Sequence, residues 1–165
     1  METFDAIKGR RSVRGYKDVK IRIEQLKKIL TAAIWSPSGS NEQPWKFIVV
    51  ENDDGIKKIK VFSPGMFGSP AAIVVVCRDL KGASEISGLM DISMASQNMM
   101  LAAYDLGIGS CAIRSFGKSA VKRLYDLPDH INPELLIALG YPERIPKAPK
   151  RREIDEVVEW HRVKG

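Results

Sequence analysis

The stretch Ser36-Pro-Ser-Gly-Ser-Asn-Glu-Gln-Pro-Trp-Lys-Phe-Ile-Val-Val50 joins a polar loop directly to an apolar strand. Residues 36–44 are predicted to form the loop, because two prolines and a glycine interrupt regular structure there. Residues 47–50 are aromatic or β-branched, which predicts a buried strand. Small donors and acceptors fixed to a core strand are suited to holding a ligand, although an ordinary helix-to-strand connection has the same pattern.

Length and composition predict a single globular domain. A chain of 165 residues can bury one core and is too short for two domains of typical size, so residues 1–165 are expected to fold together. Hydrophobic residues make up 44% and charged residues 28%, as in soluble proteins. No apolar run approaches the roughly 20 residues that span a bilayer. The N-terminus is acidic and has no secretory signal, so we expect a cytoplasmic protein that binds no membrane.

The basic residues fall into two local clusters. The net charge is +6 and the pI is near 9.4, which permits a polyanionic partner. The clusters are Arg10–Arg14 and Lys147–Arg152, and they could meet around one phosphate or lie along nucleic acid. A nucleic-acid-binding module would show aromatic residues interleaved with Lys and Arg, or a recognition helix. Neither occurs, so no nucleic-acid partner is expected.

Cysteine and histidine usage argues against disulfides and metals. Cys77 and Cys111 lie in apolar surroundings without CxxC spacing, which predicts buried, reduced thiols. His130 and His161 have no companion at the spacing of metal ligands. No metal site is expected.

Periodicity places the helices. Apolar residues recur with helical spacing over residues 23–35, and Pro37 ends that helix. Residues 91–106 predict the longest helix, with small residues on one face, after a linker over 79–88. Shorter helices are predicted over residues 3–9, from residue 53 and over 119–125.

Apolar runs place the strands near residues 47, 73, 110 and 137. The run Ala71–Cys77 lies between Pro70 and the charged pair Arg78-Asp79, which predicts a strand buried on both faces. The last segment, residues 154–163, is short and amphipathic. This mixture of helices and strands, without a repeat, predicts an α+β fold in which helices flank a sheet.

One apparent motif is rejected. Gly107-Ile-Gly-Ser-Cys-Ala112 matches G-x-G-x-x-A, the fingerprint of dinucleotide-binding proteins. That fingerprint requires a preceding strand and a following helix, whose N-terminus holds the pyrophosphate. Here the motif follows a predicted helix and opens a predicted strand, so the phosphate-binding geometry is absent.

Six segments, in this order, resemble the nitroreductase family of flavin-dependent oxidoreductases. They are Arg10-Arg-Ser-Val-Arg-Gly-Tyr16, residues 36–41 with Gln43–Val50, Ser96-Gln-Asn-Met-Met-Leu-Ala-Ala103, Gly107–Cys111, Ala138-Leu-Gly-Tyr-Pro142 and Lys150-Arg-Arg152. They span nearly the whole chain. The resemblance implies a central, mostly antiparallel sheet flanked by helices, in an obligate homodimer with two FMN molecules at the interface.

The resemblance gives the basic clusters a role in holding FMN. It implies that Arg10, Ser12 and Arg14 line one side of the flavin, and that the cluster near Arg151 reaches its phosphate. Arg14 is the candidate for a positive group at the pyrimidine end, which would stabilise the negative charge of the reduced ring. The implied cofactor-binding residues are Arg10, Arg11, Ser12, Arg14, Pro37, Ser38, Gly39, Asn41, Arg114, Ser115, Lys150, Arg151 and Arg152.

Two of these groups have particular places in the resemblance. Residues 37–41 resemble the loop that the partner subunit offers to the flavin ring, and Arg114 and Ser115 lie where the family places a backbone amide near the reactive flavin nitrogen. Which residue of 150–152 meets the phosphate stays open, because Glu153 stands where a proline commonly follows the basic pair.

The implied activity is a two-step exchange. NAD(P)H gives a hydride to FMN and leaves, and an oxidised acceptor such as a nitroaromatic or a quinone then enters the same face. The cofactor carries the reaction, so no catalytic side chain is predicted. The chain is short where larger members carry a helical excursion over the flavin. The alternatives are a flavoprotein with specialised chemistry, such as dehalogenation or flavin fragmentation, and a basic polyanion-binding module.

Overall fold

The computed structural model describes residues 2–82 and 84–161. In chain order the elements are α1 (Thr3–Gly9), α2 (Ile23–Ile34), β1 (Trp45–Val50), α3 (Asp53–Val61), β2 (Ala72–Asp79), α4 (Glu85–Asp105), β3 (Gly109–Ile113), α5 (Lys118–Leu124) and β4 (Ile131–Gly140). Single 3-10 turns occur at Gly39–Asn41 and Ile154–Glu156. None of the helices in this part of the chain has the length and apolar character needed to cross a bilayer.

The strands form a four-stranded antiparallel sheet in the order β1-β2-β4-β3. The four predicted strand positions and the α+β architecture are thereby confirmed. The β2 strand is buried on both faces over residues 72–78, as its unbroken apolar run predicts. Its pairing with β4 shifts register between Val76 and Cys77, where Cys77 faces Pro133. A proline has no N–H to donate, so a bulge at this point is expected.

Helices cover both faces of the sheet. Successive β2 side chains point to opposite faces, so Val74 and Val76 pack with α2 and α4, whereas Ile73 and Val75 pack with α3 and nearby residues of α5. The two sets of buried residues form the two halves of the core. Cys77 and Cys111 are both buried and free, which confirms that prediction.

Two boundaries differ from the sequence prediction. The β4 strand begins at Ile131 rather than near Leu135, and β2 includes Arg78 and Asp79, which were expected to end it. Arg78 is buried because it pairs with Glu134 on β4, a contact between residues far apart in the chain. Sequence periodicity does not reveal such a pair.

The linker predicted over residues 79–88 is also wrong in part. The α4 helix begins at Glu85, six residues before its predicted start, and the hydroxyl of Ser84 accepts a hydrogen bond from Ser87 N at 3.2 Å. A serine cap followed by an acidic first turn is a helix-start signal. In the amphipathic segment predicted over 154–163 the only regular structure up to His161 is the turn at Ile154–Glu156, and residues 162–163 lie outside the described part.

Candidate functional site

The basic segment Arg10–Tyr16 is extended and lies over the end of the sheet. Val13 N donates to the carbonyl oxygen of Ser110 on β3 at 2.9 Å, and Tyr16 forms an isolated bridge with Pro142 after β4. The Tyr16 hydroxyl donates to Val13 O at 2.6 Å. These bonds fix the backbone that carries the arginines.

Two paired glycines make room for this segment. Gly109 on β3 faces Gly140 on β4 in the sheet. A Cβ atom on Gly109 would lie 2.7 Å from Val13 Cγ2, and one on Gly140 would lie 2.7 Å from the Tyr16 ring. Both distances are below van der Waals contact, so the segment approaches the sheet this closely only because both residues are glycine.

The three arginines of this segment have different environments. Arg11 Nη1 donates to the carbonyl oxygens of Lys8 at 2.6 Å and Arg10 at 2.8 Å, so its guanidinium is engaged at the C-terminal end of α1. The side chains of Arg10 and Arg14 make no hydrogen bond or ion pair with any residue in the described ranges. These two guanidiniums are therefore available to an anion.

The positive charges of Arg10 and Arg14 influence the pKa of the Cys111 thiol on β3. Burial raises the pKa of the Cys111 thiol, and the positive charges of Arg14 and Arg10 oppose that rise. Burial also raises the pKa of Cys77, to about 12. Both thiols stay protonated at neutral pH, so neither acts as a nucleophile.

A small cavity of about 50 Å³ lies beside Arg10. Ser110 lines it, and the Ser110 hydroxyl is buried without a hydrogen-bond partner in the part of the chain that the structure describes. Pro142 and Ile145 also line the cavity, so the C-terminal tail leaves the fold next to Arg10. A buried hydroxyl without a partner in this part of the chain is a polar group that a bound ligand or a water molecule would satisfy.

The turn over residues 63–68 brings Arg14 and Ser115 to one place. A Cβ atom on Gly65 would overlap Ser115 Oγ, and one on Gly68 would overlap the carbonyl oxygen of Arg14. Gly68 has a φ of +71°, which favours glycine for a second reason. Arg14 and Ser115, predicted to bind the same cofactor, thus contact the same turn, and Arg114 lies beside Ser115 at the end of β3.

The polar loop before β1 holds an uncommon conformation. The backbone φ angles of Ser40, Asn41 and Gln43 are 48°, 58° and 50°. They lie in the left-handed region, which residues other than glycine rarely adopt. Gln43 N donates to the Ser38 hydroxyl at 3.1 Å, which closes the loop on itself. Backbone strain of this kind persists only where surrounding contacts impose it.

A buried carboxylate on α4 fixes the same loop. Asp91 is 3% exposed, and its two carboxylate oxygens lie 3.3 and 3.4 Å from Gly39 N, which donates to them. On the outer side, Pro37 and Asn41 are exposed, and a Cβ atom on Gly39 would meet nothing within 4 Å. The loop is therefore held from behind and open in front.

The late basic cluster stays separate from Arg10. Lys150, Arg151 and Arg152 are exposed on a tail without regular structure. No side chain of the three contacts Arg10 or makes a hydrogen bond or ion pair within residues 2–82 and 84–161. Their predicted contact with a phosphate stays a prediction.

Sequence reasoning missed two buried acidic residues. One is Asp91, a single acid on a helix face that is otherwise small or apolar. The other is Glu134, which accepts hydrogen bonds from Arg78, Lys118 and Asn132. The signal that could have identified both is a charged residue within an otherwise buried periodic stretch. No group of three or more His, Cys, Asp or Glu side chains suited to a metal occurs among the residues described.

Comparison of the sequence with known proteins identifies relatives of this chain. Residues 7–63 and 60–141 match the model of the Nitroreductase family. A protein of Methanothermobacter thermautotrophicus, provisionally named NADH dehydrogenase/NAD(P)H nitroreductase, is 38% identical over 157 residues, which cover 88% of this chain and 80% of the relative. A protein of the same provisional name from Archaeoglobus fulgidus is 38% identical over 150 residues, 86% of each chain.

Solved structures agree with the sequence relatives. A provisionally assigned nitroreductase from Desulfovibrio desulfuricans, solved in complex with FMN, is 27% identical, with a TM-score of 0.89 over 99% of each chain. A protein from Parabacteroides distasonis, again provisionally named NADH dehydrogenase/NAD(P)H nitroreductase, is 30% identical, with a TM-score of 0.87 over 96% of each chain. The fold that the resemblance implied is confirmed.

Proposed function

The chain belongs to the nitroreductase family, and we propose on that basis that it is an FMN-dependent oxidoreductase that takes a hydride from NAD(P)H and reduces an oxidised acceptor, such as a nitroaromatic or a quinone. The observation that carries this proposal is that the guanidiniums of Arg10 and Arg14, on a segment fixed across β3, have no hydrogen-bond or ion-pair partner among the described residues. The names of the archaeal relatives and the FMN complex of the bacterial neighbour support it.

The residues present fit the cofactor. Arg10 and the hydroxyl of Ser12 would hold the phosphate together with a basic residue from the tail, because that tail begins beside Arg10. Arg14 would lie at the pyrimidine end of the ring, and the backbone at Arg114 and Ser115 near the reactive nitrogen. The chemistry that bound FMN supplies is transfer of two electrons from NAD(P)H to the acceptor, in alternating half-reactions.

We also propose a homodimer in which each cofactor lies at the subunit interface. Ile86, Met90 and Met94 recur every four residues on α4 and are exposed, and Trp35 at the end of α2 is 81% exposed. An exposed apolar stripe of this kind marks an association surface. A second copy that covers the stripe would also bring the loop over residues 37–41 towards the cofactor of its partner. We also expect residues 1–165 to form a single domain, because both halves of the core pack against the same sheet.

The test measures FMN affinity in three variants. Arg10→Ala and Arg14→Ala should each weaken FMN binding by about 10- to 100-fold, because a charge-assisted hydrogen bond contributes about 1.5–3 kcal/mol. Arg123→Ala, an exposed arginine on α5, is the control and should bind FMN as the wild type does. Unchanged affinity in both test variants would rule out the assignment of the basic segment.

Steady-state kinetics tests the order of the exchange. If NAD(P)⁺ leaves before the acceptor enters, double-reciprocal plots at several fixed acceptor concentrations are parallel. Intersecting lines would instead indicate that reductant and acceptor bind together.

A further inference from the structure

A second cavity, of about 390 Å³, lies between the N-terminal half of α4, the start of β4 and the connection from β3 to α5. Leu89, Ile92 and Leu135 give it an apolar wall. Its polar wall includes Lys118 and Glu134, and Arg114 also lines it. Since Arg114 belongs to the predicted cofactor-binding set, this cavity adjoins the proposed flavin site.

One carboxylate in this cavity, that of Glu134, contacts two positively charged side chains. The Glu134 side chain is 6% exposed and accepts hydrogen bonds from Arg78 Nε and Nη2, both at 3.3 Å, and from Asn132 Nδ2 at 2.7 Å. Lys118 Nζ donates to its other oxygen. Burial would raise the pKa of Glu134, but the hydrogen bonds from Lys118 and Asn132 and the charges of Lys118 and Arg78 lower it overall. Glu134 is therefore ionised, with two cations on one carboxylate.

The excess positive charge lies on the cavity side. Arg78 is buried behind Glu134 and is 6% exposed, whereas the Lys118 side chain is 47% exposed at the cavity. Arg114 has no ion-pair partner in the ranges that the structure describes. The other acid here, Glu85, is 79% exposed and lies 3.9 Å from Arg78, so solvent screens its charge.

This arrangement is poorly explained by stability alone. A buried ion pair loses hydration, and apolar residues of similar volume often stabilise a fold equally well. Burying Arg78 with Glu134 instead holds Lys118 in one position and leaves two cations sharing one buried carboxylate, so part of the positive charge at the cavity is uncompensated. A preorganised cation beside an apolar wall is the usual form of a site for a small molecule that bears a negative group.

We propose that this cavity binds the anionic substituent, a carboxylate or a phosphate, of a molecule that reacts at the flavin site. Lys118 and Arg114 supply the charge, and the apolar wall contacts the carbon skeleton. This inference rests on the proposed function. The negative group has two possible sources, the acceptor or the phosphates of NAD(P)H, and one set of measurements separates them.

The first measurement compares two acceptors that differ in charge. On FMN-loaded protein, the KM for 4-nitrobenzoate is divided by the KM for 4-nitrobenzamide, which has nearly the same shape and no charge. Lys118→Gln should raise this ratio about 5-fold, the scale of a partly exposed ion pair. Lys118→Arg, which keeps the charge, should restore most of the wild-type ratio.

The matched control lies on the same helix. Lys122 Nζ donates to the carbonyl oxygen of Asp129 at 2.9 Å and does not line the cavity, so Lys122→Gln should leave the ratio unchanged. Lys118→Gln could instead raise the KM for NADH or NADPH and leave the ratio of the two acceptor KM values unchanged. In that case the cavity binds a phosphate of the reductant, and the proposal of an anion site is retained. An unchanged ratio and unchanged reductant KM, or an equal change for both acceptors, would overturn the proposal.

A direct binding measurement separates this inference from the proposed function. Calorimetric titration of 4-nitrobenzoate and of NADPH into purified wild type and Lys118→Gln measures the site without turnover. Binding of either ligand that depends on Lys118, in a protein that neither contains FMN nor binds added FMN, would refute the oxidoreductase and retain the anion site. An active flavoenzyme in which neither ligand depends on Lys118 would refute the anion site and keep the oxidoreductase.

Discussion

Gly109→Ala is expected to weaken FMN binding although Gly109 is not a cofactor-binding residue, because the added methyl group would displace Val13. The new Cβ would lie 2.7, 2.8 and 2.9 Å from the three side-chain carbons of Val13. Carbon atoms in contact are about 3.5–4.0 Å apart, so a shift of roughly 1 Å is required. Val13 is 3% exposed and bonded to β3, so it has little freedom to move. Overpacking of this kind reduces the free energy of unfolding by about 1–3 kcal/mol.

A double-mutant cycle isolates the contact. Val13→Ala alone leaves a cavity, which lowers the free energy of unfolding by about 2 kcal/mol. In the double variant the clashes with the two Cγ atoms are absent and the clash with the Cβ of residue 13 remains, so the two changes offset each other in part and the coupling should be about 1 kcal/mol in favour of folding. Urea unfolding measures stability and flavin fluorescence quenching measures FMN affinity. Gly82→Ala is the control, since its Cβ would come no nearer than 3.7 Å to Glu42. Strict additivity, or full stability of Gly109→Ala, would show that a side chain at residue 109 does not displace Val13.

Three further predictions concern other parts of the molecule. Asp91→Ala should speed amide exchange at Gly39 about 5-fold relative to Asp91→Asn, which keeps an acceptor; equal rates would contradict the tether. The stability difference between wild type and Lys118→Gln should be present at pH 7 and decline as the pH falls from about 4.3 through the lower pKa of folded Glu134, because a protonated Glu134 no longer attracts the lysine; a difference that does not decline on acidification would exclude this pairing. Met90→Asp should give a monomeric mass in sedimentation, and an unchanged dimer would exclude the α4 stripe as the interface.

The last of these has a matched control. Val61 is also an exposed apolar residue, at the end of α3 and away from the stripe. Val61→Asp should sediment with the mass of the wild type. If both variants dissociate, the added charge acts through stability rather than through the stripe.

The sequence predicts those parts of the fold that depend on local periodicity. The unbroken apolar run before Arg78 indicated a central strand, and the helical spacing over residues 23–35 indicated α2, because burial on two faces and burial on one stripe leave different patterns. The start of α4 was predicted too late, because the apolar stripe begins after Ser84 and Glu85. The cap signal there, rather than periodicity, marks the boundary.

The site was predicted less completely than the fold, and the reason is distance along the chain. Arg10 and Arg14 stand out as an arginine-rich segment, and the loop over residues 37–41 stands out by composition. Pairs such as Asp91 with Gly39 and Arg78 with Glu134 join residues more than 50 positions apart. Asp91 and Glu134 are each a single charged residue beside apolar ones, Arg78 follows an apolar run, and Gly39 has no side chain. Only the packed sheet and helices bring the partners together.

The visible absorption spectrum of the purified protein shows whether it is an FMN-dependent oxidoreductase. We expect a flavin spectrum, release of FMN on heating as identified by its mass, loss of the visible band when NADH or NADPH is added without oxygen, and return of the band when a quinone follows. A colourless protein that also fails to bind added FMN would exclude the proposed oxidoreductase.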